Sequence, residues 1–418
     1  MKNILFAALV LFSLKSSAQI ACNNYNTANS PIPSNQIYGI SSLAADSVNY
    51  DDIWIGTEAG LVHYNAGNWT TYTTADGLPD NSIRSVLVTP DTAVWVGTFI
   101  GGMAKFKNGV FTVYNSINSN LPDNFVRAFA YEAPGILWIG TPNGLARLVN
   151  DTITAFDLSN LGLESTHVAA LAVRPDNSKV IGMINGGFAY YNDTTFTFYT
   201  HTNSNLPDNT VVSIALDPLG NPYLAMPSGG LVAHFGGNIW QIYNEGLFPE
   251  MGTNSFRCLA ADPWGMWAGS VNKGVFRKMG TGNFLAQNTL NWYTPTQPAD
   301  FVTAARFPSA CFKHNSQYLY GWFGSDQGGL YSVNSVTAIN ENPVDNTVTA
   351  WLADGNTIVV KSANKLLQVN AYSIDGRLIT QAKPEGTFTK LDTNNNSGIF
   401  IIRTVTAKGV AVNKVVVE

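Results

Sequence analysis

The chain has 418 residues, of which 12% are charged and 12% aromatic, and its formal net charge is −5. A charged fraction well below the usual quarter indicates that much of the surface is hidden in β-sheet, and the length suits a large domain followed by a small one. The acidic balance and the lack of a basic patch argue against a nucleic-acid partner.

The first 19 residues are predicted to form a removable export signal. Lys2 supplies the positive start, and Ile4–Leu14 is an apolar run too short to span a bilayer as a helix. Ser16-Ser17-Ala18 is a small-residue cleavage site, which places the mature start near Gln19. No later segment is apolar enough to be predicted as a transmembrane segment.

The cysteines Cys22, Cys258 and Cys311 are too few for a disulfide scaffold. Cys22 also permits a second interpretation, in which it carries a lipid anchor. That interpretation is disfavoured, because Gln19 stands where a lipoprotein signal requires an aliphatic residue.

A repeat dominates the chain from residue 20 to residue 334. Its clearest element is apolar-Trp-apolar-Gly-Thr, and degenerate copies follow the three clean ones. The clean copies are Ile53–Thr57, Val94–Thr98 and Leu137–Thr141. The Gly position of the element falls at 56, 97, 140, 182, 225, 269 and 324, with Ala at 225 and a longer final step. Self-similarity at about 43 residues is typical of a propeller blade.

Each period holds four predicted strands, named a to d. Strand b is the Trp-Gly strand, and strand c opens four or five residues later at a second Gly, as in Gly60–Tyr64. Strand d ends in Tyr or Phe, as in Trp69–Tyr72, and a turn such as Leu78–Asn81 precedes the next strand a. Four short antiparallel strands per period match one blade.

Strand b explains why the blades must stack. Side chains alternate along a strand, so Trp54 and Gly56 share one face while Ile53 and Ile55 share the other. Both faces are apolar and both need cover, which neighbouring blades supply. The seventh blade lacks a fourth strand downstream, and Cys22–Tyr25 has the strand-d pattern. We therefore predict an all-β, seven-bladed β-propeller that the N-terminal strand closes.

The repeats resemble the two-component-regulator propeller repeat, whose pattern is Gly-Leu-Pro-x-Asn followed by Leu-Trp-Ile-Gly-Thr and Gly-Gly-Leu. The resemblance covers about residues 20–334 and is most specific in the first three blades. It implies a propeller that often serves as a sensor ectodomain ahead of a membrane helix and a kinase. This chain shows neither segment, so signalling through its own kinase is not expected.

After the repeat, residues 335–346 are predicted to be a linker and residues 347–418 a small β-sandwich. The predicted strands are Thr357–Lys361, Leu366–Ile374, Arg377–Gln381, Ile399–Val405 and Val410–Val417.

The C-terminal domain resembles the type A C-terminal sorting domain of the type IX secretion system. Val369–Arg377, which includes Asp375, Gly376 and Arg377, fits a Val-x-Val-Tyr-Asp-x-x-Gly-Arg element. Ser397–Ile402, which includes Gly398, fits a Gly-x-Tyr element, and Lys414–Val417 fits the closing Lys-apolar tail. The resemblance implies recognition by an outer-membrane translocon and removal by its sorting peptidase. The alternative is a plain adhesive sandwich domain.

No catalytic, metal or cofactor site is predicted. The histidines lack metal spacing, and no Gly-x-Ser-x-Gly elbow, phosphate loop or calcium loop is present. Asp80, Asp123 and Asp208 repeat, but their place in a Pro-Asp-Asn turn predicts a backbone-bonding role. The unmatched acids Glu58, Glu164 and Glu245 lie in different blades, and the histidines, His167 among them, look isolated.

Four residues at the start of strand a are predicted to bind a ligand at the channel mouth. They are Tyr38, Arg84, Arg127 and Arg257. Guanidinium and aromatic groups suit an anionic or sugar-like ligand. Ala169, Val212 and Val302 are expected at the same level in other blades, which makes the mouth lopsided. The alternative is that the arginines bond loop carbonyls and hold blades together.

Two functions therefore stay open. One is a secreted or cell-surface binding or scaffold protein that recognises a glycan or protein. The other is a propeller enzyme, a lyase or hydrolase acting outside the cell, since the repeats also resemble the streptogramin-lyase type of propeller. Binding is favoured, because a catalytic site should break the repeat with clustered unmatched acids or histidines.

Overall fold

The structure is a computed structural model that describes residues 20–43, 51–158, 163–262, 265–271, 273–279, 292–293, 309–314, 318–336, 347–354, 356–373, 378–393, 397–406 and 410–417. These residues fall into two compact units. One comprises the described parts of Ile20–Gly282 and Asn288–Ser335, and the other those of Val336–Glu418. The predicted signal peptide lies outside the described residues.

The described residues of the first unit form seven four-stranded antiparallel sheets. In six sheets the strand order follows the chain, and the seventh joins the first strand of the chain to the last three strands of this unit. The all-β prediction is confirmed, and the sheets are the blades of a β-propeller. Blades one to three contain β2 (Ile37–Ser41), β3 (Asp52–Thr57), β4 (Gly60–Asn65), β5 (Asn68–Tyr72); β6 (Ile83–Val88), β7 (Val94–Thr98), β8 (Met103–Lys107), β9 (Val110–Tyr114); β10 (Ala128–Glu132), β11 (Ile136–Thr141), β12 (Gly144–Val149) and β13 (Thr152–Phe156).

Blades four to seven repeat the arrangement. They contain β14 (Val168–Val173), β15 (Lys179–Met183), β16 (Phe188–Tyr191), β17 (Phe196–Tyr199); β18 (Ser213–Leu216), β19 (Pro222–Met226), β20 (Gly230–His234), β21 (Trp240–Tyr243); β22 (Phe256–Asp262), β23 (Gly265–Ser270), β24 (Val275–Met279), β25 (Trp292–Tyr293); β26 (Ser309–His314), β27 (Tyr318–Gly324), β28 (Leu330–Val336) and β1 (Ile20–Tyr25). The first strand named for each blade, from β2 in blade one to β26 in blade seven, is strand a. Each strand a packs beside the strands a of the neighbouring blades, so these strands surround the central channel.

The N-terminal strand closes the ring, as predicted. β1 pairs antiparallel with β28, with Tyr25 opposite Leu330. The Tyr25 ring then lies 5.5 Å from the Trp69 ring of blade one and 6.1 Å from the Trp322 ring of blade seven, centroid to centroid. The closing strand is therefore bound to blade seven by its ladder of hydrogen bonds and to blade one by the packing of Tyr25.

Strand b is buried on both faces. All five residues of β7 are buried, as the apolar pattern of both faces requires. A Cβ atom on Gly97 would meet the Ser85 hydroxyl and the carbonyl oxygen of Val126, which belongs to the next blade. Glycine is therefore required at this contact between neighbouring blades.

The polar turn residues bond the backbone around them. Asp80, Asp123 and Asp208 each accept a hydrogen bond from the backbone N–H two residues later, at 3.1, 2.8 and 2.9 Å. The following Asn side chain reaches the preceding loop, since Asn124 Oδ1 accepts from the Ser116 N–H at 2.8 Å. The structural role predicted for these aspartates is confirmed.

The second unit contains two antiparallel sheets. One has the order β29 (Thr349–Asp354), β30 (Thr357–Lys361), β33 (Phe388–Asp392), and the other β32 (Leu378–Ala382), β31 (Leu366–Ser373), β34 (Gly398–Thr406), β35 (Val410–Val417). Side chains from both sheets, including Ile358, Val369 and Phe400, form one buried apolar cluster.

Two strands of this unit were not predicted. β29 and β33 flank β30 at the two edges of their sheet. In β29 no residue is fully buried, and in β33 only Leu391 is. Exposure alternates along both strands, but apolar side chains such as Trp351 and Phe388 lie at exposed positions, so the hydropathy of the sequence does not follow the burial pattern.

Replacing Tyr25 by Ala should destabilise the first unit by about 2–4 kcal/mol, because a large aromatic side chain is lost between two blades. Equilibrium unfolding in urea, followed by tryptophan fluorescence, measures the change. Ile117→Ala is the matched control, since Ile117 is 92% exposed and its loss should change stability by less than about 0.5 kcal/mol. Equal midpoints for the two variants would show that β1 does not hold the ring closed.

Candidate functional site

A β-bulge directs one residue of strand a out of the ladder in several blades. The register shifts between Ile37 and Gly39 and between Ile83 and Ser85, and the same shift occurs in blades four and six. The bulged residues are Tyr38, Arg84, Ala169 and Arg257. A bulge re-aims the side chain of the extra residue, which explains why this repeat position faces the channel.

The channel mouth holds a cavity of about 370 Å³. Its lining residues are Tyr38, Arg84, Phe99, Phe125, Arg127, Ala169, Val212, Arg257 and Asp326. All four predicted ligand-binding residues thus line one cavity. Ala169 and Val212 line it too, so the mouth is polar on one side and apolar on the other.

Val302 was assigned to the wrong place. In blade seven the described strand a is β26, and Ser309 lies opposite Gly324 as Ser85 lies opposite Gly97 in blade two. The residue aligned with Arg84 therefore comes several positions after Val302, which lies outside the described residues. The longer final repeat step caused this error.

Arg84 is held in place by an acid and two rings. Its Nη2 atom lies 3.1 Å from Glu58 Oε2, and its guanidinium carbon lies 4.1 Å from the centre of the Tyr38 ring and 4.8 Å from that of Phe99. Glu58 therefore belongs to the channel mouth, although the sequence placed it with acids scattered over separate blades. The planar guanidinium is pre-ordered for a ligand.

Arg127 has no carboxylate partner among the described residues. Its Nη1 lies 3.4 Å from His167 Nε2, and its guanidinium carbon lies 5.2 Å from the centre of the Phe125 ring. Burial, together with the positive charges of Arg257 and Arg84, lowers the pKa of Arg127 below its usual range. The group stays cationic, because arginine titrates far above neutral pH. The site thus contains a positive charge that an anion would stabilise.

His167 faces the same region and is not isolated. Burial, and next the charge of Arg127, lower the pKa of His167 to about 4, against the opposing effect of Asp123. At neutral pH the ring is uncharged, so Nε2 accepts the hydrogen bond from Arg127. Two other histidines are also partnered, His63 with Asp52 at 2.7 Å and His234 with Tyr190 at 2.7 Å. The prediction of isolated histidines was wrong for these three.

Sequence reasoning missed Phe99 and Phe125. Their ring centroids lie 4.9 Å apart at 77°, and Phe99 is 44% exposed at the mouth. Phe125 directly follows Pro122-Asp123-Asn124, where other blades carry a small polar residue such as Ser82 or Thr210. The sequence did carry a signal for Phe125: an aromatic residue stands at a repeat position that holds a small polar residue in other blades.

The other predicted sites lie in the second unit. Asp375, Gly376 and Arg377 are outside the described residues. Gly398 begins β34, and Lys414 lies in β35 opposite Ile401. Among the described residues, no group of His, Cys, Asp and Glu side chains is arranged to hold a metal ion.

Comparison with known proteins supports the fold. The family model for the two component regulator propeller matches residues 77–99. No curated protein matches the chain in sequence. In the part of the chain that the structure describes, no helix has the length and apolar character needed to cross a membrane.

Three solved structures illustrate the likeness. The extracellular domain of BT3049 from B. thetaiotaomicron, described as part of a hybrid two component system, has TM-score 0.59 and 16% identity, over 94% of this chain and 57% of that one. PorZ, described as a surface component of the type-IX secretion system of Porphyromonas gingivalis, has TM-score 0.58 and 14% identity, over 92% of this chain and 60% of that one. An inactive histidine-to-alanine variant of virginiamycin B lyase from Staphylococcus aureus, with quinupristin, has TM-score 0.59 and 14% identity, over 76% and 100%. This chain thus spans less than two thirds of the length of the BT3049 domain and of PorZ.

Changing His167 to Gln should make the fold less sensitive to acid. In the unfolded chain His167 binds a proton near its ordinary pKa of 6.5, while in the folded chain it does so only near 4. Stability is therefore lost as the pH falls from 6.5 towards 4, and the variant lacks this loss.

The melting temperature at pH 7 and pH 4.5 tests this expectation. The drop between the two values should be smaller in His167→Gln than in the unaltered protein. His201→Gln, at an exposed position, is the control and should keep the full drop. His234, whose pKa burial also lowers, is common to all three proteins. A drop of equal size in His167→Gln would contradict the assigned environment of His167.

Proposed function

We propose that the chain is a non-enzymatic binding protein of the cell surface or medium, exported by the type IX secretion system, whose channel mouth binds an anionic sugar residue. The observation that carries this proposal is the convergence of Arg84, Arg127 and Arg257 on one cavity. Three guanidinium groups share the mouth with the carboxylates of Glu58 and Asp326, which leaves one positive charge in excess among these residues. A carboxylate or sulfate group on a ligand would be bound by charge-assisted, bidentate hydrogen bonds.

The apolar side of the mouth supports a sugar over a bare inorganic anion. Phe99, Phe125, Ala169 and Val212 line the cavity beside the arginines. A sugar ring has C–H groups on its faces and hydroxyls at its edges, so it matches a mouth with one apolar and one polar side. Phe99 is exposed enough to contact such a ring directly.

Surface location and export are supported by likeness. The C-terminal residues resemble a type A sorting domain, and this unit has its own buried cluster. PorZ, one of the similar structures, is itself described as a surface component of the type-IX secretion system. The partners proposed here are therefore the outer-membrane translocon and its sorting peptidase.

A propeller lyase is the second candidate, and His167 is the observation that favours it. A neutral imidazole beside a cation at the mouth has the chemistry of a general base. Among the described residues no carboxylate orients this ring, because the group that bonds its Nε2 atom is the Arg127 guanidinium. Turnover of a substrate such as quinupristin, abolished in His167→Gln, would favour the lyase.

Arg127→Ala should weaken binding of an acidic sugar by about 10–100-fold, since a hydrogen bond to a charged group contributes about 1.5–3 kcal/mol. A glycan array of uronate, sulfated and neutral sugars identifies the ligand, and calorimetry measures its affinity. Arg147→Ala is the matched control, because that guanidinium lies 5.8 Å from the Trp138 ring and outside the channel cavity. Unchanged binding together with a large loss of stability would make Arg127 a scaffold residue.

Deleting residues 347–418 should leave the propeller folded but retained in the periplasm. The two units have separate buried clusters, so the first should survive the deletion. Cell fractionation with immunoblotting of the periplasm, the surface and the medium gives the result. Arg403→Ala, at an exposed position of β34, controls for general damage to this unit. Normal amounts of the truncated chain outside the cell would remove the sorting role.

A further inference from the structure

A second cavity lies between blades two and three, at the ends of the strands opposite the channel mouth. Its volume is about 280 Å³, at the lower end for small-ligand sites. It is built around the a–b and c–d turns, whereas the channel mouth is built around the b–c loops. Its lining includes Thr89, Asp91, Trp95, Lys105, Leu137 and Asp151. The proposed function uses none of these residues.

The neighbouring blade interface shows what normally fills this space. Between blades three and four, the indole N–H of Trp138 donates to Glu132 at 2.6 Å. Lys179 enters from blade four, with its Nζ 3.1 Å from the Glu132 carboxylate and 4.9 Å from the Trp138 ring centre. Lys179 is 1% exposed, so this interface is filled by the protein itself.

Between blades two and three both filling groups are replaced. Counted from the Gly of strand b, Thr89 stands at the position of Glu132, and Leu137 stands at the position of Lys179. The indole N–H of Trp95 consequently makes no hydrogen bond with any described residue. Blade six follows the filled pattern for its indole, since Trp267 donates to Asp262 at 2.6 Å. The space beside Trp95 is therefore left as a cavity.

The charges around this cavity are already balanced. Asp91 pairs with Lys107 at 2.6 Å, and Asp151 pairs with Lys105 at 3.6 Å. The Asp151 carboxylate also accepts a hydrogen bond from the Tyr114 hydroxyl at 2.8 Å. A charged ligand would upset this balance. A neutral ligand with several hydroxyls fits, because it can donate to the carboxylates and accept from Lys105 and the Trp95 N–H.

The cavity also has an apolar wall. Ile136, Leu137 and Leu148 line it beside the Trp95 ring. An aromatic and aliphatic surface edged by paired donors and acceptors is complementary to a pyranose ring. We propose that this inter-blade cavity binds one neutral sugar unit, independently of the anionic site at the channel mouth.

Saturation-transfer NMR on the full mature chain tests the proposal. The probes are the methyl glycosides of glucose, mannose, galactose and N-acetylglucosamine, each at millimolar concentration. We expect transfer to at least one of them. The double variant Thr89→Glu with Leu137→Lys copies the filled interface and should abolish the signal. Lys105→Met keeps the aliphatic stem, removes the donor and should weaken binding at least about fivefold, the loss expected for one hydrogen bond.

Arg127→Ala separates this site from the channel. It should leave the neutral-sugar signal unchanged, even if it removes binding of acidic sugars. The inference is overturned by no transfer to any of the four glycosides, by a signal that both cavity variants retain, or by a signal that Arg127→Ala removes. If the double variant does not fold, as judged by its melting curve, Lys105→Met alone decides.

Discussion

The propeller depends on the contact between each strand b and the blade that follows it. In blade two this contact brings Gly97 against the backbone of Val126, where no side chain fits. The same arrangement buries apolar side chains on both faces of the strand, Val94 and Val96 on one face and Trp95 on the other. Because every blade needs a neighbour on both sides, an open row of blades would leave two apolar faces in water, and only a ring avoids this.

The ring also explains how variation at one repeat position builds a site. Strand a surrounds the channel, so its bulged residue from each blade reaches the same small volume. The structural demands of the repeat fall on the Gly of strand b and on the turn aspartates. The bulged position carries no such demand, and it holds Tyr38, Arg84, Ala169 and Arg257 in different blades. Chemistry can therefore change there while the fold is kept.

The sequence predicts positions within a blade well and relations between blades poorly. The repeat sufficed to predict the all-β fold, the closing strand and the shared level of Tyr38, Arg84, Arg127 and Arg257. It did not reveal that His167 contacts Arg127, or that Phe99 meets Phe125, because these partners come from different blades. Each contact depends on the angle and spacing between blades, which no pattern within one repeat records. The edge strand β29 escaped detection for a different reason: it carries apolar residues on both faces, with Leu352 on the half-buried face and Trp351 on the exposed one.

Interfaces between blades differ more than the repeat suggests. Trp138 is enclosed by an ion pair, Trp267 is stacked on Phe312 at 5.0 Å, and Trp95 borders a cavity. A buried ion pair such as Glu132–Lys179 adds little net stability, since both charges lose water, but breaking it by removing one partner is strongly destabilising. This pair therefore constrains which residues can stand between blades three and four more than it strengthens that interface.

The pairing of β1 with β28 makes the order of folding unusual. Asn23 donates to the Ser332 hydroxyl, 309 positions later in the chain, so the last sheet cannot form until almost the whole propeller sequence is available. Six blades use local pairings that can form as the chain emerges, whereas the seventh waits for a closure between distant segments. Until then β28 presents a free edge and blades one and seven each leave an apolar face uncovered. In this open state the chain exposes apolar surface and an unpaired strand edge, which make a folding intermediate prone to aggregate, and closure of the last sheet removes both.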